Sequence, residues 1–242
     1  MRAAVPPLPE PDEAHLWRVR LHGAPDEFAR LATLLSAEEH VRAGRFRFER
    51  DRHRFVIARG RLREVLAAYL ECPPAQVAFG YGPRGKPRLA GDGAGTGLTF
   101  SLSHTGTHGL VGIARGRRIG VDLEGIRPDV LGDAEASLLL AEAERRDLDR
   151  LPSSDRLRAL LAAWVQKEAY AKARGDGLAL DLRAIEVDVR PDGPGGLRRD
   201  RQHADPATRW CVRTLEVGPE FAAALAVEGS AGRLGWWTLP GS

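Results

Sequence analysis

The chain has 242 residues, enough to bury a core as one large domain or two small ones. Its apolar share of 43% and charged share of 29% are typical of folded proteins and exclude a disordered chain. The net charge of +3, carried almost entirely by arginine, suggests acidic partners. Two cysteines are too few for a disulfide framework, and neither a signal peptide nor an apolar run of the roughly 20 residues that span a bilayer is visible. We therefore expect a soluble cytoplasmic protein without a membrane partner.

The first third of the chain predicts one strand followed by three helices. Residues 16–21 alternate between apolar and polar side chains, which is the period of a half-buried strand. Pro25 opens a helix, and the segment Ser36-Ala37-Glu38-Glu39 has the capping-box pattern that starts the next one. The longest helix is predicted over residues 51–69. Its apolar face includes Arg59, which must have a partner because an unpaired guanidinium against a core is costly.

Short strands and turns follow these helices. Residues 77–81, 98–103 and 109–114 are predicted strands. Between them lie a tight loop at residues 82–87 and a glycine-rich turn at residues 91–97.

The second half of the chain predicts a similar mixture of helices and strands. A strand at residues 119–124 precedes helices at residues 134–148 and 155–174, the second ending at Gly175. Four more strands are predicted, at residues 185–189, 210–215, 221–227 and 234–238. Residues 190–206 are rich in Pro, Gly, Arg and Asp and predict a loop.

This order of elements predicts the fold class α+β, with two similar halves that each pack helices on a small antiparallel sheet. We place the halves at residues 1–117 and 118–242, although the sequence shows no clear repeat.

Asp122 and Glu124 form an acidic pair on one face of a predicted strand, because residues two apart in a strand point the same way. Two carboxylates about 4 Å apart repel by roughly 4 kcal/mol at an effective dielectric near 20, and a bound cation offsets that repulsion. All-oxygen ligation favours Mg²⁺ or Mn²⁺ over zinc. The alternative interpretation is a strand with a solvated acidic face.

A second candidate group lies on the predicted helix at residues 155–174. Glu168 and Lys172 continue the apolar stripe of Leu160 and Trp164 at four-residue steps. An exposed pair at this spacing only supports a helix, which is the alternative. A charged pair on the core-facing side is more typical of a binding site.

Two further segments contain residues suited to binding phosphate. Ser103-His104 ends a predicted strand, and Gly106 just beyond it allows close approach of a ligand. Lys86 lies in a loop between a flexible Gly and a stiff Pro, which is good geometry for presenting one ammonium group. The alternative for His104 is an ordinary turn histidine. The chain has three lysines, and all of them lie in these candidate segments: Lys86, Lys167 and Lys172.

Nine arginines between residues 42 and 63 could form a nucleic-acid face: Arg42, Arg45, Arg47, Arg50, Arg52, Arg54, Arg59, Arg61 and Arg63. Acidic residues interleave with them, which favours an ion-paired helix surface with a few arginines spare for a phosphate. No stacking platform or groove-entering motif is visible, so we expect no nucleic-acid partner.

Taken in order, four segments resemble the motif series of the 4′-phosphopantetheinyl transferases, in the single-chain, pseudo-dimeric form that activates peptide and polyketide synthases. The segments are Gly85-Lys86-Pro87, Phe100-Ser101-Leu102-Ser103-His104-Thr105, Gly120-Val121-Asp122-Leu123-Glu124 and Trp164-Val165-Gln166-Lys167-Glu168-Ala169-Tyr170-Ala171-Lys172. This resemblance implies a monomer with its active site at the seam between two halves.

The resemblance also implies an activity. The 4′-phosphopantetheine arm of coenzyme A passes to a serine of an apo acyl or peptidyl carrier protein, with Mg²⁺ or Mn²⁺ as cofactor and 3′,5′-ADP as product. The alternative is a non-catalytic relative that only binds coenzyme A or a carrier protein.

Roles follow for individual residues. Asp122, Glu124 and Glu168 would hold the metal, and Glu168 and Lys172 would be catalytic. The base that takes the serine proton would be Glu168 or, alternatively, a metal-bound water. Coenzyme A would be bound by Arg59, Lys86, Ser103, His104 and Lys172. Three positions depart from common family residues: Ser101 stands where Asn is frequent, Gln166 where small or sulfur-containing residues are, and Glu39 where some relatives are basic.

Overall fold

The computed structural model describes residues 6–127, 138–175, 180–202 and 209–239. The α-helices of these residues are α1 (Pro25–Ala32), α2 (Ala37–Gly44), α3 (Glu49–Leu70), α4 (Glu142–Asp149) and α5 (Ser153–Arg174). The strands are β1 (Glu13–Arg20), β2 (Phe79–Tyr81), β3 (Pro87–Leu89), β4 (Leu98–Thr105), β5 (His108–Arg115), β6 (Ile119–Gly125), β7 (Ile185–Val187), β8 (Leu197–Asp200), β9 (Trp210–Thr214), β10 (Phe221–Glu228) and β11 (Arg233–Thr238). None of these helices has the length and apolar character that crossing a membrane requires.

The fold is α+β, as predicted, with helices packed on small, mainly antiparallel sheets. A four-stranded sheet has the order β11-β1-β5-β4, and a three-stranded antiparallel sheet has the order β6-β10-β9. Two hairpins, β2-β3 and β7-β8, complete the set. The pair β1-β11 is parallel, so the last strand joins the first sheet. It thereby crosses the predicted division after residue 117, and that division stays a prediction.

Several element boundaries differ from those predicted. Strands β3 and β8 were not expected, because each is only three or four residues long and carries little periodic signal. Pairing with β7 makes a strand of Leu197–Asp200, inside the predicted loop, while residues 203–206 lie outside the described part. The helix predicted over residues 134–148 is observed as Glu142–Asp149, and its first four positions are likewise not described.

Helix ends follow the local sequence. The Ser36 hydroxyl accepts a hydrogen bond from the Glu39 N–H (3.3 Å), and the Glu39 carboxylate accepts one from the Ser36 N–H (2.9 Å), which completes the predicted capping box. Helix α5 ends at Gly175, whose φ of 78° is the left-handed conformation that glycine adopts without strain.

The two sheets meet where β4 lies beside β6. Four hydroxyl residues at alternate positions of β4 hydrogen-bond across this seam, all on one face because the side-chain period of a strand is two. Thr99 donates to the Arg117 carbonyl, Ser101 accepts from the Val121 N–H (3.1 Å), Ser103 donates to Asp122 Oδ1 (2.7 Å) and Thr105 accepts from the Gly125 N–H (3.3 Å). We call these four residues the hydroxyl row.

Helix α5 approaches β6 unusually closely at Gly120. A Cβ atom there would lie 2.0 Å from the Ala169 carbonyl oxygen and 2.4 Å from the Ala173 nitrogen. Only glycine therefore lets the helix backbone rest on the strand. This contact places the Glu168 and Lys172 turns of α5 over the face of β6 that carries Asp122.

Lys167 is a core residue rather than a site residue. It is 0% exposed, and its Nζ donates to Glu144 Oε2 (2.5 Å) and to the carbonyls of Leu139 and Leu182. A buried ammonium requires such a complete set of acceptors. Lys167 therefore holds α5 against α4, although it lies in the same motif as Glu168.

We expect Gly120→Ala to lower the free energy of unfolding by at least about 3 kcal/mol, because overpacking against backbone forces the helix and strand apart. The measurement is urea denaturation followed by circular dichroism. Gly44→Ala is the control, since a Cβ there meets no atom within 4 Å, and it should change stability by less than about 1 kcal/mol. Equal midpoints for the two variants would contradict the close-contact argument.

Candidate active site

Asp122 is the most deeply buried acid of the candidate site, at 2% exposure. Its Oδ1 accepts hydrogen bonds from the Ser103 hydroxyl (2.7 Å) and from Lys172 Nζ (2.5 Å). Its Oδ2 is also buried, yet it has no hydrogen-bond partner among the described residues. A buried carboxylate oxygen without a donor is an atom that a bound cation would complete.

Glu124 and Glu168 both respond to Asp122. Burial raises the pKa of Glu124 and of Glu168, and the negative charge of Asp122 raises both further. Lys172 acts in the opposite direction on each, and a hydrogen bond from Thr105 also lowers the pKa of Glu124. The structure thus brings the three predicted carboxyl groups and Lys172 into one electrostatic group drawn from β6 and α5.

The donor set of this group suits a hard dication such as Mg²⁺. It is made only of oxygen ligands, it includes the unpartnered Asp122 Oδ2, and its two glutamates gain from any added positive charge. Among the described residues, however, no three His, Cys, Asp or Glu side chains already stand in a metal-binding arrangement. In the present arrangement Lys172 supplies the compensating charge, at 2.5 Å from Asp122.

A cleft of about 610 Å³ lies beside this group. Its walls come from α2, α3, β4, the loop before β3 and the last turns of α5. Its lining includes seven side chains that carry or can carry positive charge: Arg42, Arg54, Arg59, Arg84, Lys86, His104 and Lys172. Asp51 is the carboxylate that accompanies them in the lining. The size and charge of the cleft suit an anionic ligand as large as a nucleotide.

His104 and Lys172 connect the cleft to the carboxyl groups. Lys172 Nζ donates to the Ser103 hydroxyl (3.0 Å) as well as to Asp122. His104 lines the cleft. Partial desolvation lowers the pKa of its imidazole, and the positive charges of Lys172 and Arg54 lower it further. In the absence of an anion the imidazole is therefore less readily protonated than that of an ordinary histidine.

Lys86 also lines the cleft, but its ammonium has a structural use. Its Nζ donates to the carbonyls of Ile119 (3.0 Å) and Ala173 (3.2 Å), so it ties the loop before β3 to β6 and α5. Burial and then the charge of Arg118 lower the pKa of Lys86 to about 8. Its predicted contact with coenzyme A stays a prediction.

The structure explains two of the departures from common family residues. Ser101 belongs to the hydroxyl row and holds β4 to β6. Gln166 is buried; its amide donates to the Ala162 and Asp188 carbonyls and accepts from the Gly196 N–H. Both residues therefore support the scaffold around the site. Trp164 is partly buried and packs against the core cluster that includes Leu161, Val165 and Tyr170.

Sequence reasoning missed two contributors to the site. Thr105 hydrogen-bonds Glu124, and Glu39 lies 3.4 Å from the cleft residue Arg59. The first could have been found, because hydroxyl residues recur at every second position from Thr99 to Thr105. The second had no signal in the sequence, since Glu39 and Arg59 meet only through the packing of α2 on α3.

Comparison with known proteins supports one family over most of the chain. Residues 118–226 match the model of the 4′-phosphopantetheinyl transferase superfamily. Residues 21–115 match a model described as 4′-phosphopantetheinyl transferase, N-terminal.

Individual relatives agree with these matches. The 4′-phosphopantetheinyl transferase HetI of Nostoc is 37% identical over 226 residues, covering 93% of this chain and 92% of that protein. The 4′-phosphopantetheinyl transferase ffp of Bacillus subtilis is 28% identical and covers 83% and 85% of the two chains. A Bacillus anthracis holo-(acyl-carrier-protein) synthase, solved with CoA (3′,5′-ADP), superposes with a TM-score of 0.38 and 27% identity over 47% of this chain and 96% of that one. Because both family models match and HetI is 37% identical over 93% of this chain, this chain belongs to the 4′-phosphopantetheinyl transferases of the single-chain type, the family that its motif order resembles.

Proposed function

We propose that this protein transfers the 4′-phosphopantetheine arm of coenzyme A to a serine of an apo acyl or peptidyl carrier protein and releases 3′,5′-ADP. The observation that carries the proposal is the group of Asp122, Glu124, Glu168 and Lys172 beside a cationic cleft. Membership of the transferase family supports the same reaction.

The charge pattern of the site supports one orientation of coenzyme A. Lys172 lies at the carboxylate end of the cleft and suits the pyrophosphate, which is the reacting group. His104 and the arginines of α2 and α3 line the rest of the cleft and suit the 3′-phosphate at the nucleotide end. Binding the two anionic groups at separate points fixes the β-phosphorus in position, and such positioning is a large part of catalysis.

Asp122, Glu124 and Glu168 are the residues that would hold Mg²⁺. When bound, Mg²⁺ would offset the charge that develops on the phosphate oxygens. Ser103 supports this arrangement, because its hydroxyl fixes Asp122 Oδ1, while Oδ2 has no partner in the part of the chain that the structure describes.

In the transfer step the carrier serine oxygen bonds to the β-phosphorus of coenzyme A. The bond from that phosphorus to the bridging oxygen breaks, and 3′,5′-ADP leaves with the bonding electrons. Glu168 is the residue that we assign to accept the serine proton. In the metal-free protein, burial and then the charge of Asp122 raise the pKa of Glu168. Lys172 offsets charge on the departing phosphate.

The carrier protein would approach across the seam between the two halves. Carrier proteins are acidic, and the arginine-rich surface of this chain would speed that encounter. We further propose a cytoplasmic monomer. The unpaired state of Cys72 and Cys211 is compatible with a reducing compartment.

The direct test is incubation with a purified apo carrier protein, coenzyme A and Mg²⁺, followed by intact mass spectrometry of the carrier. We expect a mass gain equal to one phosphopantetheine arm, lost when EDTA removes the metal. A carrier protein whose acceptor serine is replaced by alanine is the control, and its mass should not change. Binding of coenzyme A without any mass gain would favour a non-catalytic relative.

We expect Glu168→Gln to reduce transfer at least about 100-fold, because an amide cannot accept the serine proton and is a weaker metal ligand. Coenzyme A affinity should change by less than about tenfold, since the cationic cleft is intact. The measurements are single-turnover mass spectrometry and calorimetry. Glu142→Gln changes an exposed glutamate in α4 and should leave both values unaltered. Retention of most of the activity by the Glu168 variant would contradict its assigned role.

Binding of the nucleotide end should depend on pH through His104. Its pKa lies below the ordinary 6.5 in the free protein, and a nearby phosphate raises it. Because the pKa is higher in the complex, binding takes up a proton and tightens as the pH falls through the interval between the two values.

Calorimetry with adenosine 3′,5′-bisphosphate from about pH 8 to about pH 6 measures this effect. The affinity of the natural protein relative to His104→Gln should rise as the pH falls, and this comparison cancels titration of the phosphate itself. A ratio that stays constant with pH would show that His104 does not meet the phosphate.

A further inference from the structure

Arg59 is an unusual buried cation in the cleft wall. It is only 8% exposed, and its guanidinium donates no hydrogen bond to any residue that the structure describes. Its guanidinium carbon lies 4.8 Å from the centre of the Phe79 ring. Burial is the main cause that lowers the pKa of Arg59. A guanidinium has five N–H donors, so this side chain keeps most of its binding capacity unused.

Glu39 is the acid that faces Arg59. It is 4% exposed, and its Oε1 lies 3.4 Å from Arg59 Nε, without hydrogen-bond geometry. Its other oxygen, Oε2, is fully occupied by the Ser36 N–H (2.9 Å) and by Arg63 Nε (2.9 Å) and Nη2 (2.7 Å). Glu39 is therefore a fixed point with one oxygen directed at Arg59.

The two arginines around Glu39 have different uses. Arg63 completes its hydrogen bonds within the protein, because Nη1 donates to the carbonyls of Pro74, Ala75 and Val77. Arg63 is thus a structural residue. One carboxylate shared by two guanidinium groups leaves an excess positive charge, and Arg59, which lines the cleft, is the group without hydrogen bonds. A dianionic phosphate in the cleft is the ligand that would use this charge.

We propose that Glu39 is a positioning residue that holds Arg59 for the 3′-phosphate of coenzyme A, so that the pair sets the preference for coenzyme A over its dephospho form. The inference rests on the proposed function, since it requires the nucleotide end of coenzyme A in this cleft. It gives a role to the acid at a position where some relatives of the family are basic.

Two effects of Glu39 oppose each other. Its negative charge repels a phosphate. This repulsion is weak, because the Arg59 guanidinium lies between the two groups and the cleft is open to solvent, which screens the charges. Its contact with Arg59 holds the guanidinium against repulsion from Arg63. Without that contact the two buried arginines repel each other directly, and Arg59 loses the fixed geometry that a directed hydrogen bond to phosphate requires. The loss of positioning therefore outweighs the gain in net charge.

The test uses two probes that need no carrier protein, adenosine 3′,5′-bisphosphate and adenosine 5′-monophosphate. Calorimetry on the full chain gives the Kd of each probe. The Kd of adenosine 5′-monophosphate divided by the Kd of adenosine 3′,5′-bisphosphate measures recognition of the 3′-phosphate. We expect Arg59→Met to lower this ratio at least about tenfold, and Glu39→Gln to lower it about three- to tenfold. Glu38→Gln, an exposed neighbour in the same turn of α2, is the matched control and should leave it unchanged.

Stability measurements separate positioning from scaffolding. Glu39→Gln should lower the Tm, because Glu39 also serves the capping box and Arg63. Arg59→Met should lower the Tm less than Glu39→Gln does, because in that variant Glu39 keeps its hydrogen bonds with the Ser36 N–H and with Arg63. A scaffold role alone would weaken both probes by the same factor and leave the ratio unaltered.

An unaltered or increased ratio in Glu39→Gln overturns the inference while the proposed function stands. Failure of the natural protein to bind adenosine 3′,5′-bisphosphate overturns both.

Discussion

The contact of α5 with β6 at Gly120 is the constraint on which the site depends. With no side chain at Gly120, the helix backbone rests directly on the strand, and a Cβ atom would overlap the Ala169 carbonyl. The helix positions that carry Glu168 and Lys172 then face the strand position that carries Asp122. A wider helix–strand separation would leave these groups too far apart for Lys172 to reach Asp122 at 2.5 Å. Gly120 therefore contributes to the site through geometry, whereas Asp122 and Glu124 of the same motif contribute through charge.

The same seam also explains how a buried aspartate is tolerated. Strands β4 and β6 belong to different sheets and share no backbone pairing. The hydroxyl row of β4 hydrogen-bonds to groups of β6 instead, and its third member, Ser103, donates to Asp122. Lys172 adds a charge at short range. Together they satisfy one carboxylate oxygen of Asp122, and the other has no partner among the residues that the structure describes. Strand β4, which hydrogen-bonds to β6 across the seam between the two sheets, thus also orients the acid at the centre of the site, so scaffold and chemistry cannot be separated here.

Local patterns predicted the parts of this site that lie on single elements. Two-residue alternation placed Asp122 and Glu124 on one face, and four-residue spacing placed Glu168 and Lys172 on one side of α5. The parallel pairing of β11 with β1 was not predicted, because it joins the two ends of the described chain and leaves no local signal. The partner of Arg59 could be required on physical grounds, yet not identified, since Glu39 is twenty positions away on another helix. Residue spacing within one helix or strand can be read from the sequence, whereas contacts between different elements cannot.

The three lysines show the same division most clearly. All of them lie in recognisable motifs, although the sequence predicted a role in the site for Lys86 and Lys172 and none for Lys167. Lys167 is fully buried and donates to Glu144, Lys86 ties the loop before β3 to β6 and α5 through carbonyl groups, and Lys172 donates to Asp122. Lys167 and Lys172 are five positions apart, about half a turn out of phase on α5. Lys167 therefore points towards α4 and Lys172 towards β6. The face of the helix, rather than the residue type or the motif, decides which lysine can meet a phosphate.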